Sequence, residues 1–246
     1  MKTHANACPP LLNSPVNRPM DRRLPEPPHN PGLRELIAGK RLWASSLTTD
    51  QAKAGFKGWH ERGYLPHRDE PGLTQMVTFH VADSFPAALR SEWGALFLIE
   101  EDAERRKKLE DYLDKGRGEC PWREPRIAAL VDGALRFHHS TKYELRAWVV
   151  MPNHLHVLFK VTVQPMGQVI ADWKKYTARE ANKLLGRRGR FWADDYWDTY
   201  MRDAAHEAQA RNYAEKNPVK ARMGREPTQW PWSSARFRDC YGRLVL

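Results

Sequence analysis

Residues 143–163 read YELRAWVVMPNHLHVLFKVTV, two runs rich in β-branched and aromatic residues on either side of a Pro-Asn pair. Such runs are typical of strands, and the pair between them favours a tight turn. The stretch therefore predicts an antiparallel hairpin, with strands over 143–151 and 154–163.

The segments around this hairpin show alternating strand and helix patterns. An α+β fold follows, in which helices cover an antiparallel sheet. Besides the hairpin, strands are predicted over 75–81 and 189–201. Helices are predicted over 92–113, over 127–138, over 165–185 with Gly186 closing it, and from the Asp203 cap to Asn217-Pro218.

The N-terminal part of the chain differs in composition from the rest. Eight of the eighteen prolines lie within residues 1–31, too many for a helix or an inner strand. Residues 33–42 form a short helical candidate. We expect residues 1–59 to be a proline-rich, partly flexible extension and residues 60–240 to form the functional domain.

Composition limits the class of protein. Apolar residues make up 41% of the chain and charged residues 28%, so the chain is expected to fold. The sequence has no run of about 18 apolar residues, which excludes an ordinary membrane span, and its first residues lack a signal-peptide pattern. A cytoplasmic location without a membrane partner is the expectation.

The positive charge is concentrated in the second half of the chain. Lys and Arg number 40 against 30 Asp and Glu, and residues 136–246 hold +9 of the formal net charge of +10. A polyanion would be attracted to that region. Ten tryptophans add candidate platforms for unpaired bases, Trp192 and Trp197 among them. A charge that serves only solubility is the alternative.

The hairpin carries a His-x-His pair. Because side chains alternate along a strand, His154 and His156 should project from one face, and Leu155 and Val157 from the other. Two neutral imidazoles on one face can hold a divalent metal and leave room for a further ligand and a substrate oxygen. Ordinary strand histidines are the alternative.

The last helix carries a second group of polar residues. His206, Tyr213 and Asn217 are spaced seven and four residues apart, which places them near one face. A tyrosine there can fill the core, stack on a base or attack phosphorus. Asn217 can serve as a polar ligand or end the helix before Pro218.

Several ordered motifs carry a family resemblance. The chain resembles the REP-associated tyrosine transposases, which are HUH-type single-tyrosine DNA endonucleases related to small insertion-sequence transposases. The similarity spans roughly residues 60–235. Its motifs are RGYLPH (62–67), QMVTFHVADS (75–84), VVMPNHLHVLF (149–159), YTAREANKLLGRRGRFW (176–192), YWDTYMRD (196–203), NYAEKNPVKA (212–221) and WPWSS (230–234).

The resemblance implies roles for single residues. His154 and His156 match the metal-binding HUH pair, and Tyr213 stands at the place of the nucleophile. Asn217 holds the offset at which relatives carry a further metal ligand, commonly glutamine. Tyr176 is a rival nucleophile, which we interpret as a packing or DNA-contacting residue. The fold implied is a ferredoxin-like HUH endonuclease domain, and the cofactor is Mg²⁺ or Mn²⁺.

Phosphate contacts are expected from basic residues near the GRRGR loop. The predicted set is Arg187, Arg188, Arg190, Lys174, Lys175 and Lys220. An exposed basic turn without a ligand is the alternative for each.

The function implied is that of a metal-dependent single-stranded DNA endonuclease and strand transferase. It would form a 5′-phosphotyrosine on palindromic REP-type hairpin DNA, as a monomer or a homodimer. A catalytically silent DNA-binding protein or repressor with the same fold is the alternative. A metal-dependent hydrolase that uses water is a third possibility.

Overall fold

The computed structural model describes residues 47–61, 66–84, 102–116, 118–194 and 196–246. The helix predicted over 33–42 and the first part of the helix predicted over 92–113 lie outside these ranges.

The central element is a four-stranded antiparallel sheet with the order β4-β5-β3-β6. A separate two-stranded hairpin, β1-β2, precedes it in the chain. The strands are β1 (Gly58–Glu61), β2 (Pro66–Asp69), β3 (Thr74–His80), β4 (Tyr143–Val150), β5 (His154–Val161) and β6 (Trp197–Tyr200).

Five α-helices accompany these strands in the described ranges: α1 (Thr49–Lys53), α2 (Asp102–Leu113), α3 (Pro125–Phe137), α4 (Met166–Leu184) and α5 (Ala204–Lys220). From β3 to β6 the chain alternates as strand, helices, two strands, helix and strand. Together with the strand order, this is the ferredoxin-like βαββαβ arrangement. The predicted α+β fold, an antiparallel sheet covered by helices, is confirmed.

The two faces of the sheet have different partners. Val157 and Phe159 of β5 belong to the main core, with side chains of α3 and α4 such as Val131 and Trp173. The other face holds a smaller cluster, in which Ala214 of α5 packs among residues that include Ala147, Val149, Met151 and Leu158. The predicted alternation of the hairpin thus determines which residues face α5.

The junction after α4 depends on a glycine. Gly186 has φ 61°, a left-handed conformation that glycine adopts without steric cost. It lets the Arg187 and Gly186 amides donate to the carbonyls of Asn182 and Lys183 at 2.9 and 3.2 Å. This Schellman motif ends the helix where the sequence predicts and begins the GRRGR loop.

Two sequence-based expectations about the C-terminal half are wrong. The strand predicted over 189–201 is limited to Trp197–Tyr200, because only this part of the stretch forms a ladder with β3. Trp192 makes a single bridge to Val81, just after β3. The last helix does not end at Asn217-Pro218 but continues to Lys220. A proline near the end of a helix removes only one late hydrogen bond, and the Ala221 amide still donates to Asn217.

Packed structure begins before β3. Phe56 is buried in the main core, and Leu47 packs against it as a partly buried residue. These contacts show that hydrophobic packing includes residues before position 60, the predicted domain boundary.

Candidate active site

The two histidines of β5 lie on the α5 face, where both are buried. His156 pairs across the sheet with Thr78, and the Thr78 Oγ1 lies 2.7 Å from His156 Nδ1. The Nδ1 of His154 lies 2.8 Å from the Asn153 side-chain oxygen. When each Nδ1 carries its proton toward these oxygens, each Nε2 keeps a lone pair available to a ligand.

Burial keeps these imidazoles neutral. Burial, followed by the charge of Lys220, lowers the pKa of His156 to about 3. Burial, followed by the proximity of His156, lowers the pKa of His154 well below its usual range. Both rings are therefore unprotonated at pH 7, which is the form that coordinates metal ions.

Helix α5 brings Tyr213 and Asn217 to the same place. The rings of His156 and Tyr213 lie 5.3 Å apart between centroids and are nearly perpendicular. The Asn217 amide nitrogen lies 3.2 Å from the Tyr213 hydroxyl and 3.4 Å from His156 Nε2. The imidazole pair, the phenol and the amide therefore meet within one chain.

The Tyr213 hydroxyl is protonated in this environment. Burial, followed by the negative charge of Glu110, raises its pKa far above the usual value near 10. A phenol in this state needs a proton acceptor or nearby positive charge before it can act as a nucleophile.

Two acidic residues of helix α2 and the turn after it complete the surroundings of Tyr213, and sequence reasoning missed both. Glu110 is within hydrogen-bonding reach of the hydroxyl, and Asp114 adds negative charge near it. The available signal was the four-residue spacing, which places both residues on one side of the helix end. The stretch just before them reads as a solvated charged face, and the sequence alone does not show that the end of the helix packs beside Tyr213.

A small cavity opens beside the tyrosine. Its volume is about 140 Å³, and its lining includes Glu110, Tyr213, His206 and Trp197. His206 and Tyr213 do share one face of α5, as their spacing predicts. The cavity lies between helix α5 and the strands β3 and β6.

The side chains present fit a divalent metal. His154 Nε2 and the Asn217 side-chain oxygen are buried without a hydrogen-bond partner in the described part of the molecule. Buried polar atoms of this kind are rare unless a ligand satisfies them. Within the same ranges, no three His, Cys, Asp or Glu side chains form a preformed metal cluster.

The predicted phosphate-binding arginines all lie in or beside the GRRGR loop, but their surroundings differ. Arg188 is exposed. Arg187 forms an ion pair with Glu119, and Arg190 forms one with Asp194. Binding of a phosphate by either of these two arginines therefore competes with an existing carboxylate partner.

The predicted lysines are spread over a wider area. Lys175 is exposed on α4. Lys174 donates to the Ala193 carbonyl at 2.9 Å, so it joins α4 to the following loop. Lys220 is far along the chain from that loop, and its ammonium nitrogen lies 3.3 Å from a carboxylate oxygen of Asp114, beside the Tyr213 ring.

Three aromatic residues singled out in the sequence differ in their exposure. Trp192 is buried in the main core, where its indole nitrogen donates to Thr177 at 3.0 Å, so it is not an exposed base platform as predicted. Trp197 is half-buried, with its ring 5.5 Å from that of His80. Tyr176, the rival nucleophile, is 45% exposed on α4.

The comparison with protein families identifies the segment that holds this site. Residues 129–217 match the family model described as transposase, IS200-like. The family resemblance predicted from the sequence is thereby confirmed. The matched segment contains His154, His156, Tyr213 and Asn217, whereas Glu110 and Asp114 lie before it.

Two known structures are similar to the chain. A REP-associated tyrosine transposase bound to a REP hairpin shares 15% identity, over 76% of this chain and 98% of its own, with a TM-score of 0.43. A candidate transposase from Deinococcus radiodurans R1 shares 16% identity, over 64% of this chain and 96% of its own, with a TM-score of 0.31. At these TM-scores neither similarity supports an argument about function. The comparison with curated proteins found no match.

None of the described helices has the length and apolar character needed to cross a bilayer.

Proposed function

We propose that this chain is a metal-dependent single-stranded DNA endonuclease and strand transferase with Tyr213 as its nucleophile. The observation that carries the proposal is the convergence of His154, His156, Asn217 and Tyr213 at one point, in a segment that matches the IS200-like transposases.

The residues of the site divide the chemistry between them. The Tyr213 oxygen attacks the scissile phosphorus, and the bond from phosphorus to the departing 3′ oxygen breaks. The products are a 5′-phosphotyrosine and a free 3′-hydroxyl. Because one phosphodiester replaces another, a new 3′-hydroxyl can reverse the step and rejoin the strand without ATP.

Proton transfer is assigned to Glu110. Its carboxylate is within reach of the Tyr213 hydroxyl and is suited to accept the proton as the oxygen attacks. The departing 3′ oxygen takes up a proton to become the hydroxyl. In the rejoining direction the same groups exchange protons in the opposite order.

His154, His156 and Asn217 are the residues that would hold the ion, Mg²⁺ or Mn²⁺. When bound, such an ion offsets negative charge on the phosphate in the transition state. The protein keeps both imidazoles neutral by burial and fixes their orientation through Thr78 and Asn153.

The DNA is proposed to be single-stranded and to carry palindromic REP-type hairpins, as the resemblance of the sequence motifs implies. Exposed Arg188 and Lys175 are the basic side chains best placed to meet its phosphates, together with Arg187 and Arg190 after exchange of their carboxylate partners. The convergence of the site within one chain supports cleavage by a monomer, or by each subunit of a homodimer independently.

The test is covalent adduct formation. The full chain is incubated with hairpin-bearing single-stranded DNA and Mn²⁺ or Mg²⁺, and the products are separated by denaturing electrophoresis. Tyr213→Phe should abolish the protein-DNA adduct. Tyr176→Phe is the matched control, because it removes the exposed rival hydroxyl and should leave the adduct unchanged.

Other outcomes would decide against the proposal. An adduct that persists in Tyr213→Phe would remove this residue from the role. Cleaved ends without any adduct would favour a hydrolase that uses water. DNA binding without cleavage under either metal would favour the silent DNA-binding protein or repressor.

A further inference from the structure

Three buried polar atoms without a hydrogen-bond partner in the described ranges belong to the surroundings of the histidine pair. They are His154 Nε2, the Asn217 side-chain oxygen and Asp114 Oδ1. The first two belong to residues already assigned to the metal. The third comes from the turn after α2, in a part of the chain outside the matched transposase segment.

The Asp114 carboxylate faces the His154 imidazole at a distance that one metal ion can bridge. Asp114 Oδ1 lies 3.8 Å from His154 Nε2. That separation is too long for a hydrogen bond, so the two atoms do not satisfy each other. Two metal-ligand bonds of about 2.1 Å can join atoms up to about 4.2 Å apart, so one ion can contact both.

The other oxygen of Asp114 already has a partner. Asp114 Oδ2 lies 3.3 Å from the Lys220 ammonium nitrogen, at the end of α5. Because Oδ2 is engaged in this contact, Oδ1 is the oxygen that faces the imidazole. Lys220, which the sequence suggested as a phosphate contact, is in this arrangement a positioning residue for Asp114.

The chemistry of the ligand set leads to the same conclusion. Two neutral imidazoles and a neutral amide supply no negative charge to a buried divalent ion. Mg²⁺ and Mn²⁺ favour carboxylate oxygens, and an anionic ligand offsets the cost of burying the ion. In the described part of the chain, Asp114 supplies a carboxylate oxygen within 4 Å of the pair, at His154 Nε2.

We propose that Asp114 is a further ligand of the ion held by His154, His156 and Asn217. The described residues form no preformed cluster of three His, Cys, Asp or Glu ligands, so binding of the ion requires a small closing movement of these side chains. This inference rests on the metal site of the proposed function and adds a residue that the hairpin motif does not contain.

The test measures metal binding by the full chain without DNA. Mn²⁺ and Mg²⁺ are titrated by calorimetry into the wild type, Asp114→Asn and Asp111→Asn. Asp111 is the matched control, because it also contacts Lys220, at 3.7 Å, but among the described residues it forms no ion pair with His154. Asp114→Asn should weaken Mn²⁺ binding at least about tenfold, and Asp111→Asn should change it less than about twofold.

A second variant tests the bond directly and does not depend on the stability of Asp114→Asn. In Asp114→Cys, a thiolate replaces the carboxylate, and Cd²⁺ should then produce a sulfur-to-metal charge-transfer absorption that Asp111→Cys lacks. Absence of this band in a folded Asp114→Cys protein would overturn the inference.

Different results would refute the role of Asp114 and the metal site itself. If His154→Ala loses Mn²⁺ binding while Asp114→Asn keeps wild-type affinity, Asp114 is not a ligand and the metal site of the proposed function stands. If His154→Ala also binds Mn²⁺ as the wild type does, the metal site itself is refuted, and the role of Asp114 with it.

Discussion

Thr78→Val isolates the contribution of one hydrogen bond to the metal site. The Thr78 hydroxyl lies 2.7 Å from His156 Nδ1 in a fully buried pair. Valine keeps the branched shape and the strand preference of threonine but removes the oxygen. The His156 ring then loses the partner that fixes its tautomer and its orientation.

The expected magnitudes follow from this geometry. A buried donor left without a partner costs about 1–3 kcal/mol of unfolding free energy, which lowers Tm by several degrees in a domain of this size. Loss of an outer partner of a ligating histidine typically weakens metal binding about 10- to 100-fold, or roughly 1.4–2.7 kcal/mol. Adduct formation should therefore fall at limiting Mn²⁺ and recover largely when Mn²⁺ is saturating.

The assay combines calorimetric Mn²⁺ titration, thermal unfolding and adduct formation at two Mn²⁺ concentrations. Thr162→Val is the matched control, since the Thr162 hydroxyl donates to the Lys142 carbonyl at the same distance, 2.7 Å, beyond the opposite end of β5. It should leave Mn²⁺ affinity within about twofold of wild type. A Thr78→Val protein with lower Tm but unchanged Mn²⁺ affinity would refute the assigned role of His156.

Three other perturbations test separate parts of the molecule. Glu110→Gln removes the proposed proton acceptor of Tyr213, so adduct formation should slow by about 100-fold or more at saturating Mn²⁺ with DNA affinity kept; an unchanged rate would exclude Glu110. Replacing the three arginines of loop 186–190 by Ala should reduce the slope of log binding constant against log salt concentration by about 2 for single-stranded DNA. An unaltered slope would place the DNA path elsewhere. Asp132→Ala removes the hydrogen-bond acceptor that lies 2.7 Å from the Trp148 indole nitrogen. A denaturation experiment should show a loss of about 1–3 kcal/mol of unfolding free energy, and Mn²⁺ affinity should not change.

The elements with strong local patterns could be predicted from the sequence. Alternation along 143–163 determines both the hairpin and the face on which its two histidines lie. Helix α4 is bounded by Pro165 and Gly186, whose backbone preferences act locally. In each case the physical cause lies within a few residues of its effect.

The errors occurred where tertiary contacts decide the structure. The aromatic stretch 189–201 has the composition of a strand, but only Trp197–Tyr200 form a ladder with β3, and Trp192 turns into the core. Helix α5 continues past Asn217 because Pro218 removes only one late hydrogen bond, and its last residue, Lys220, meets Asp114 of the turn after α2. That contact joins parts of the chain that no sequence window contains.

The candidate site was predictable only in part, for the same reason. His154, His156, Tyr213 and Asn217 belong to recognisable motifs, and the structure brings them together, while their roles stay predictions. Glu110 lies just after a charged stretch whose local pattern indicates only exposure to water. Its relevance depends on how α2 approaches α5, which is a property of the folded chain.

The meeting of hairpin and closing helix within a single polypeptide has a kinetic consequence. If each molecule carries every group needed for cutting, no encounter between subunits has to precede the reaction. The rate per molecule should then not depend on protein concentration as long as DNA and divalent ion remain saturating. A few copies per cell would react as efficiently, molecule for molecule, as a concentrated solution.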